Sequence, residues 1–265
     1  MQIQKGKQGG PRRVLFHGTN FVGKTTFASQ AFGGCLLANL EDDRDVDMDK
    51  SPPINSWDDW QEFWQYCHDQ MLRNTFQYKW IAIDTIDALQ CVIEKKICED
   101  HKVESMGSDK FSYGKGGKLI EAAWMRVKTQ LDILHSVTMQ QDESKRIPIG
   151  IILLAHSEAV KITPPDGPSY ERWEPSVCSF ARDLLCDWCQ EVFFGDFQTY
   201  VSTEDTGFNR TRNIAAGGNE RFIRTVPNAG IRAKNRLNMP EEMTEFSFTK
   251  YAEYFIPSDV LKGKE

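Results

Sequence analysis

Four short runs of consecutive apolar residues stand out along the chain: Val14–His17, Cys35–Leu40, Trp80–Asp84 and Ile149–Ala155. Hydrophobicity that is unbroken rather than alternating is the pattern of strands covered on both faces, as in a parallel sheet. Between these runs, apolar positions recur every three or four residues. That spacing predicts helices over Thr25–Phe32, Ser56–Met71, Asp87–Asp100 and Lys118–Met139. The second opens on Ser56, a good N-cap, and carries Trp57, Trp60, Phe63, Trp64 and Cys67 on one face. Strands alternating with helices imply an α/β fold with a mostly parallel central sheet. Toward the C-terminus the pattern changes to strand-like pieces, Phe197–Val201 and Arg221–Val226, with a Gly/Asn-rich turn expected at Ala216–Asn219. This predicts a β-hairpin extension at the edge of the sheet.

With 265 residues, 40% of them hydrophobic and 26% charged, the composition is that of an ordinary globular chain. The longest uncharged apolar stretch, Ile147–His156, is too short to span a bilayer, and the polar start lacks an apolar leader segment. No membrane association and a cytoplasmic location are therefore expected. The formal charge of −6 argues at first against nucleic acid, but it is an average over blocks. Residues 41–100 sum to −9 and residues 206–240 to +6, with Arg210, Arg212, Arg221 and Arg224 as candidates for a phosphate-facing surface. A charged hairpin that is simply solvated is the alternative. Seven cysteines without a framework spacing read as reduced thiols. Cys186 and Cys189 form one C-x-x-C, with Cys178 or His156 as conceivable further zinc ligands. No common zinc module has that spacing, so buried thiols are preferred.

Chemistry enters with Gly18, Thr19, Asn20, Phe21, Val22, Gly23, Lys24 and Thr25, a full match to G-x-x-x-x-G-K-[ST], followed by Thr26. An apolar strand precedes it and a helical pattern follows, the context in which such a loop cradles phosphates through its backbone N–H groups. Lys24 is then the ligand of the β- and γ-phosphates, and the Thr25 hydroxyl a ligand of Mg²⁺. Asp84 ends a buried strand at the edge where open α/β sheets bind ligands, and is the expected metal-holding carboxylate. Asp87 is assigned to the first turn of the next helix instead. Hydrolysis also needs a group to orient or deprotonate water. Glu41, after the second strand, is the candidate, with Asp42 or a merely solvated acidic loop as alternatives.

The ordered set of motifs resembles the short RecA-like P-loop ATPases encoded by bacteriophages, grouped with phage nucleotide-binding proteins and single-strand annealing recombinases. The set comprises G-T-N-F-V-G-K-T-T, S-P-P-I-N-S-W-D-D-W at 51–60, I-A-I-D-T-I-D-A-L at 81–89, Y-G-K-G-G-K-L at 113–119, L-L-A-H-S-E at 153–158 and A-K-N-R at 233–236. The resemblance implies a RecA-like core over residues 13–248, between a flexible N-terminus (1–12) and a tail (249–265). It also implies ATP and Mg²⁺ as ligands, and recombination or annealing as the activity. His156 falls where this family places a γ-phosphate sensor. Lys234 and Arg236 resemble a finger reaching a neighbour's nucleotide, which implies a homo-oligomer, ring or filament. Single-stranded DNA is the implied partner, with a single-strand-binding protein as a further one. Its contact loops are expected at Met106–Lys118 and Ile162–Glu174, where aromatics sit beside basic groups. Two other readings stay open: a nucleotide or small-molecule kinase, and an assembly switch that binds ATP without turning it over.

Overall fold

The computed structural model describes residues 11–41, 45–136, 149–205 and 211–256, without side chains over 200–205 and 211–216. One sheet organises the chain. Strands β1 (Arg13–Gly18), β2 (Cys35–Asn39), β3 (Trp80–Asp84), β4 (Gly150–Ile162) and the first half of β6 (Glu191–Asp205) are parallel, in the order β2-β3-β4-β1-β6. Antiparallel β7 (Thr211–Arg224) and the two-residue β8 (Glu242–Met243) extend it, and β5 (Tyr170–Pro175) folds back on the end of β4.

Alternate residues of these strands feed two separate cores. Leu15, Ile81, Ile83, Ile151 and Leu153 face helices α2 (Trp57–Leu72), α3 (Ile86–His101), α4 (Lys115–Ser136) and α5 (Ser179–Trp188). Val14, Phe16, Leu37, Ala82, Ile152 and Leu154 face α1 (Lys24–Ser29) and α6 (Phe248–Ala252). Burial on both faces is why these strands are continuously apolar. At Ser56 the expected cap is complete: its hydroxyl accepts from the Asp59 N–H, and the Asp59 carboxylate accepts from the Ser56 N–H.

Three boundaries differ from the sequence expectation. The Ala216–Asn219 segment is part of β7 and not a turn, and the β6–β7 ladder continues past it to the pair Asp205 and Thr211. Glycines inside a strand mark an irregularity as readily as a turn, and here the β6–β7 register shifts between Phe197 and Thr199, opposite them. The segment 249–256 is not a tail. Phe248, Tyr251 and Ala252 are fully buried, and the Tyr251 hydroxyl donates to the buried Glu191 carboxylate at 2.8 Å. At the other end, the Arg12 guanidinium grips the same carboxylate in a fork, so residue 12 also belongs to the folded body.

Each of the two expected DNA loops is part regular element and part connecting loop. Residues 109–111 form a 3-10 turn with Phe111 buried, and α4 begins at Lys115, leaving Tyr113 fully exposed. Of residues 162–174, Ile162 and 170–174 belong to the paired β4–β5 strands and 163–169 to the loop joining them, with Tyr170 and Trp173 each 37% exposed. Trp173 leans on Phe194, and Arg172 binds Glu174 at 2.6 Å. Both cysteines of the C-x-x-C are buried free thiols, and burial pushes Cys186 up to about 12. Among the described residues no His, Cys, Asp or Glu completes a metal-binding group with them. No described helix is long and apolar enough to cross a membrane. Asp42, Arg210 and the side chain of Arg212 lie outside what is described.

Candidate active site

The C-terminal ends of the parallel strands meet at one edge. Register pairs Gly18 of β1 with His156 of β4 and with Gly195 of β6, and Asn39 of β2 with Asp84 of β3. The loop leaving β1 therefore emerges between two residues, His156 and Gly195, that lie far along the sequence. A cleft of about 580 Å³ opens there, lined among others by Gly23, Lys24, Thr25, Glu41, Asp84 and His156.

The two glycines of the loop do different jobs. Gly23 has φ 100°, in the left-handed region that side chains disfavour. Gly18 is needed for space instead: a Cβ there would lie 2.2 Å from the carbonyl oxygen of Gly195. That carbonyl accepts from the Thr19 N–H at 3.1 Å, and the Thr19 hydroxyl donates to Asp196 at 3.1 Å, so β6 clamps the start of the loop.

Lys24 is buried at 8% exposure, and its ammonium donates to the carbonyls of Thr19 (3.0 Å) and Gly18 (3.3 Å). Burial lowers its pKa, and Asp84, Glu41 and Asp87 pull it back up. The Thr25 hydroxyl donates to Asp84 Oδ2 at 2.7 Å. A hydroxyl and a carboxylate in contact form a hard-oxygen pair of the kind Mg²⁺ takes, so these two residues fit the role of holding it.

Across the cleft, Glu41 beyond β2, Asp87 in the first turn of α3 and His156 of β4 form a network. His156 Nδ1 lies 2.7 Å from Asp87 Oδ2, and the His156 backbone N–H donates to Asp87 Oδ1 at 2.9 Å. Glu41 Oε1 lies 3.5 Å from the same imidazole nitrogen and accepts from the Thr85 hydroxyl at 2.7 Å. The hydrogen bond to Asp87 raises the His156 pKa above its ordinary value, against the effect of partial burial. Burial works to raise Asp87, but its two hydrogen bonds from His156 prevail and its pKa is lowered. The three ligand atoms lie within 4.8 Å of one another. Both Asp87 oxygens are already engaged by His156, which suits holding an imidazolium better than binding a metal.

Comparison with known proteins agrees with this geometry. A family model described as an AAA domain (AAA_24) matches residues 10–237. The chain belongs to this family. It is accordingly a nucleotide-binding P-loop ATPase domain, and the loop, Thr25 and Asp84 lie within the matched span. No curated protein matches the sequence. Among solved structures, the AAA domain is similar to the flagellar accessory protein FlaH from Methanocaldococcus jannaschii. The identity is 9% and the TM-score 0.33, over 90% of this chain and 91% of that one. A superposition that loose carries no residue correspondence.

Of the residues singled out in the sequence, the fold brings Asn20, Phe21, Gly23, Lys24, Thr25, Thr26, Glu41, Asp84 and His156 into one cleft, with Gly18 and Thr19 held beneath the loop by β6. Lys234 and Arg236 do not enter it. The Lys234 ammonium donates to the carbonyls of Cys186, Asp187 and Cys189, at 2.9, 2.9 and 2.7 Å, and so caps the end of α5. A lysine with all three protons satisfied inside its own chain is a poor finger, whereas Arg236 is exposed. Two members of the site were missed. Asp87 does sit in the first turn of α3, as read, but its carboxylate is turned onto His156. Arg221 of β7, marked in the sequence only as one of four arginines for a DNA-facing surface, lines the cleft beside Gly23.

Proposed function

We propose that this AAA domain binds ATP with Mg²⁺ and hydrolyses it, and that it does so as a homo-oligomer acting on single-stranded DNA in recombination or annealing. The hydrolytic reading is carried by one observation: the Thr25–Asp84 contact at 2.7 Å faces a Glu41–His156–Asp87 network across the same cleft. Lys24 binds phosphate oxygens by exchanging its two carbonyl partners for them, which leaves Gly18 and Thr19 in place under β6. Thr25 and Asp84 hold Mg²⁺, which when bound neutralises charge on the phosphates. Glu41 Oε1, a carboxylate oxygen, accepts the proton of the attacking water. Thr85 orients it through the 2.7 Å hydrogen bond from its hydroxyl to the same oxygen. His156, kept protonated longer by Asp87, donates toward the developing negative charge from Nε2.

The DNA-directed part rests on the resemblance and on exposed Tyr113, Tyr170 and Trp173; in the basic segment 206–240, Arg224, Arg232 and Lys234 are taken up by contacts within the chain. Ring faces that accept stacked bases beside cations are the usual means of holding single strands. Exposed Arg236 remains available to a neighbouring subunit's nucleotide. Phosphate release is measured for wild type, Asp84→Asn and Glu41→Gln, with and without single-stranded DNA, over a salt series. Mg²⁺-dependent turnover that both substitutions abolish, and that DNA stimulates more at low salt, is expected. Turnover unchanged in Glu41→Gln removes Glu41 as the base. Nucleotide binding with no wild-type turnover favours the non-hydrolysing switch. No salt-sensitive DNA binding in any nucleotide state ends the DNA reading.

A further inference from the structure

Arg221 occupies an unusual position among the arginines of this chain. Its neighbours are neutralised: Arg224 binds Glu241 and Glu242, Arg232 binds Asp183, and Arg182 binds Glu158. Among the described residues Arg221 meets no carboxylate. Its guanidinium lies 5.9 Å from the centre of the Phe197 ring, directly across the β6–β7 ladder. Beyond that pair the ladder is irregular. The next register pair is Thr199 with Gly217, so three residues of β7 stand against Gln198 alone. A bulge of this kind bends a strand and re-aims the adjoining side chain. The side chain is aimed at the phosphate loop: a Cβ on Gly23 would lie 3.2 Å from Arg221 Nη1.

The cleft has two distinguishable ends. The Thr25–Asp84 pair and the Glu41–His156–Asp87 network mark the end where a terminal phosphate and its metal would lie. Arg221 stands at the other end. There the cleft adjoins a small hollow of about 90 Å³, bordered by Thr26, Gln30, Thr244 and Phe246. Charge counts in the same direction. Three carboxylates line the cleft (Glu41, Asp45 and Asp84), against two permanent cations, Lys24 and Arg221, and the imidazole of His156. A polyanionic ligand cannot be held there by Lys24 alone without strong repulsion. A guanidinium offers paired donors in a plane and suits phosphate oxygens, with the Phe197 ring fixing that plane.

We infer that Arg221 reaches across from β7 within the same subunit and grips the α- and β-phosphates of the bound nucleotide. This rests on the nucleotide-binding reading of the cleft and adds to it. Arg221 acts in cis, it does not depend on the γ-phosphate, and it serves the nucleotide rather than DNA. It also makes the β6–β7 hairpin a wall of the nucleotide site.

Titration calorimetry on the full chain, with Mg²⁺ and either ADP or a non-hydrolysable ATP analogue, tests this. Wild type should bind both. Arg221→Ala should weaken both by the same factor, at least tenfold, with an unchanged melting temperature in the absence of nucleotide. Arg221→Lys, which keeps charge without the plane, should recover part of the loss. Arg221→Gln, which keeps a plane without charge, should recover none. Wild-type affinity in Arg221→Ala overturns the inference while leaving the nucleotide site intact. So does a loss confined to the ATP analogue, or a full recovery in Arg221→Gln, which would mean stacking on the base. No binding by wild type overturns the nucleotide reading itself.

Discussion

Replacing Gly18 by alanine tests whether the first glycine of the loop is there for space. The added methyl would sit 2.2 Å from the Gly195 carbonyl oxygen and 3.0 Å from both the carbon and the nitrogen of Gly195. All three are backbone atoms of a strand paired to β1 over five residues, so no side chain can swing aside. Relief requires β1 and β6 to part by about 1 Å at this point. That lengthens the 3.1 Å Thr19 N–H to Gly195 bond beyond useful reach. Overpacking of this kind costs about 1–3 kcal/mol, and the lost hydrogen bond about 1 kcal/mol more. For a domain of this size about 2–4 °C is lost per kcal/mol, so thermal unfolding should drop by about 5–15 °C. Gly195→Ala is the internal control. Its methyl would meet only side-chain atoms, of Phe16 (2.8 Å), Ile223 (2.9 Å) and Val22 (3.0 Å), which can shift. It should therefore cost less, about 1–2 kcal/mol. Differential scanning calorimetry of both variants decides the matter. A melting temperature for Gly18→Ala equal to wild type, or a larger loss for Gly195→Ala, refutes the close-approach account.

Three further outcomes are expected. His17 is fully buried under the loop, with Nδ1 2.8 Å from the Ser157 hydroxyl and Nε2 donating to the Arg232 carbonyl at 2.9 Å, and burial lowers its pKa to about 4. The unfolded chain takes up a proton there first, so stability should fall as pH drops from about 6.5 toward 4, by about 1.4 kcal/mol per unit at most. Urea titrations across that window should show the slope reduced in His17→Gln; an identical slope would remove His17 as its source. Tyr251→Phe leaves the buried Glu191 carboxylate short of one donor and should cost about 1–3 kcal/mol. A chain ending at residue 248 should fare worse, because Tyr251 and Ala252 leave the core; unfolding curves that superimpose on wild type in either case would contradict the packing of α6.

Much of the site was legible because its parts are local. The spacing of Gly18, Gly23, Lys24 and Thr25 is a property of one loop, and Asp84 ends a run whose hydrophobicity alone marks a strand buried on both faces. Glu41 and His156 could be nominated because they follow two more such runs. Partners separated by long stretches of chain were not legible. Gly195 stands against Gly18, and Arg221 against Gly23, only because β6 pairs with β1 and β7 with β6. The tail assignment failed for a similar reason. The residues Phe248–Ala252 form a helix too short to show a clear period, and their apolar side chains acquire meaning only against Phe27 and Phe193.

By itself, the sequence determined the class of fold, the phosphate loop and the strand end that carries Asp84, whose carboxylate the Thr25 hydroxyl meets. Those follow from hydrophobic period and from one contiguous motif, which short-range physics governs. Tertiary structure decided the rest. It turned Lys234 inward as a helix cap, set the Asp87 carboxylate on His156, and brought Arg221 to the nucleotide cleft. Each of these depends on which strand lies beside which, and hydrogen bonds and charge pairs form between whatever side chains that order places a few ångströms apart.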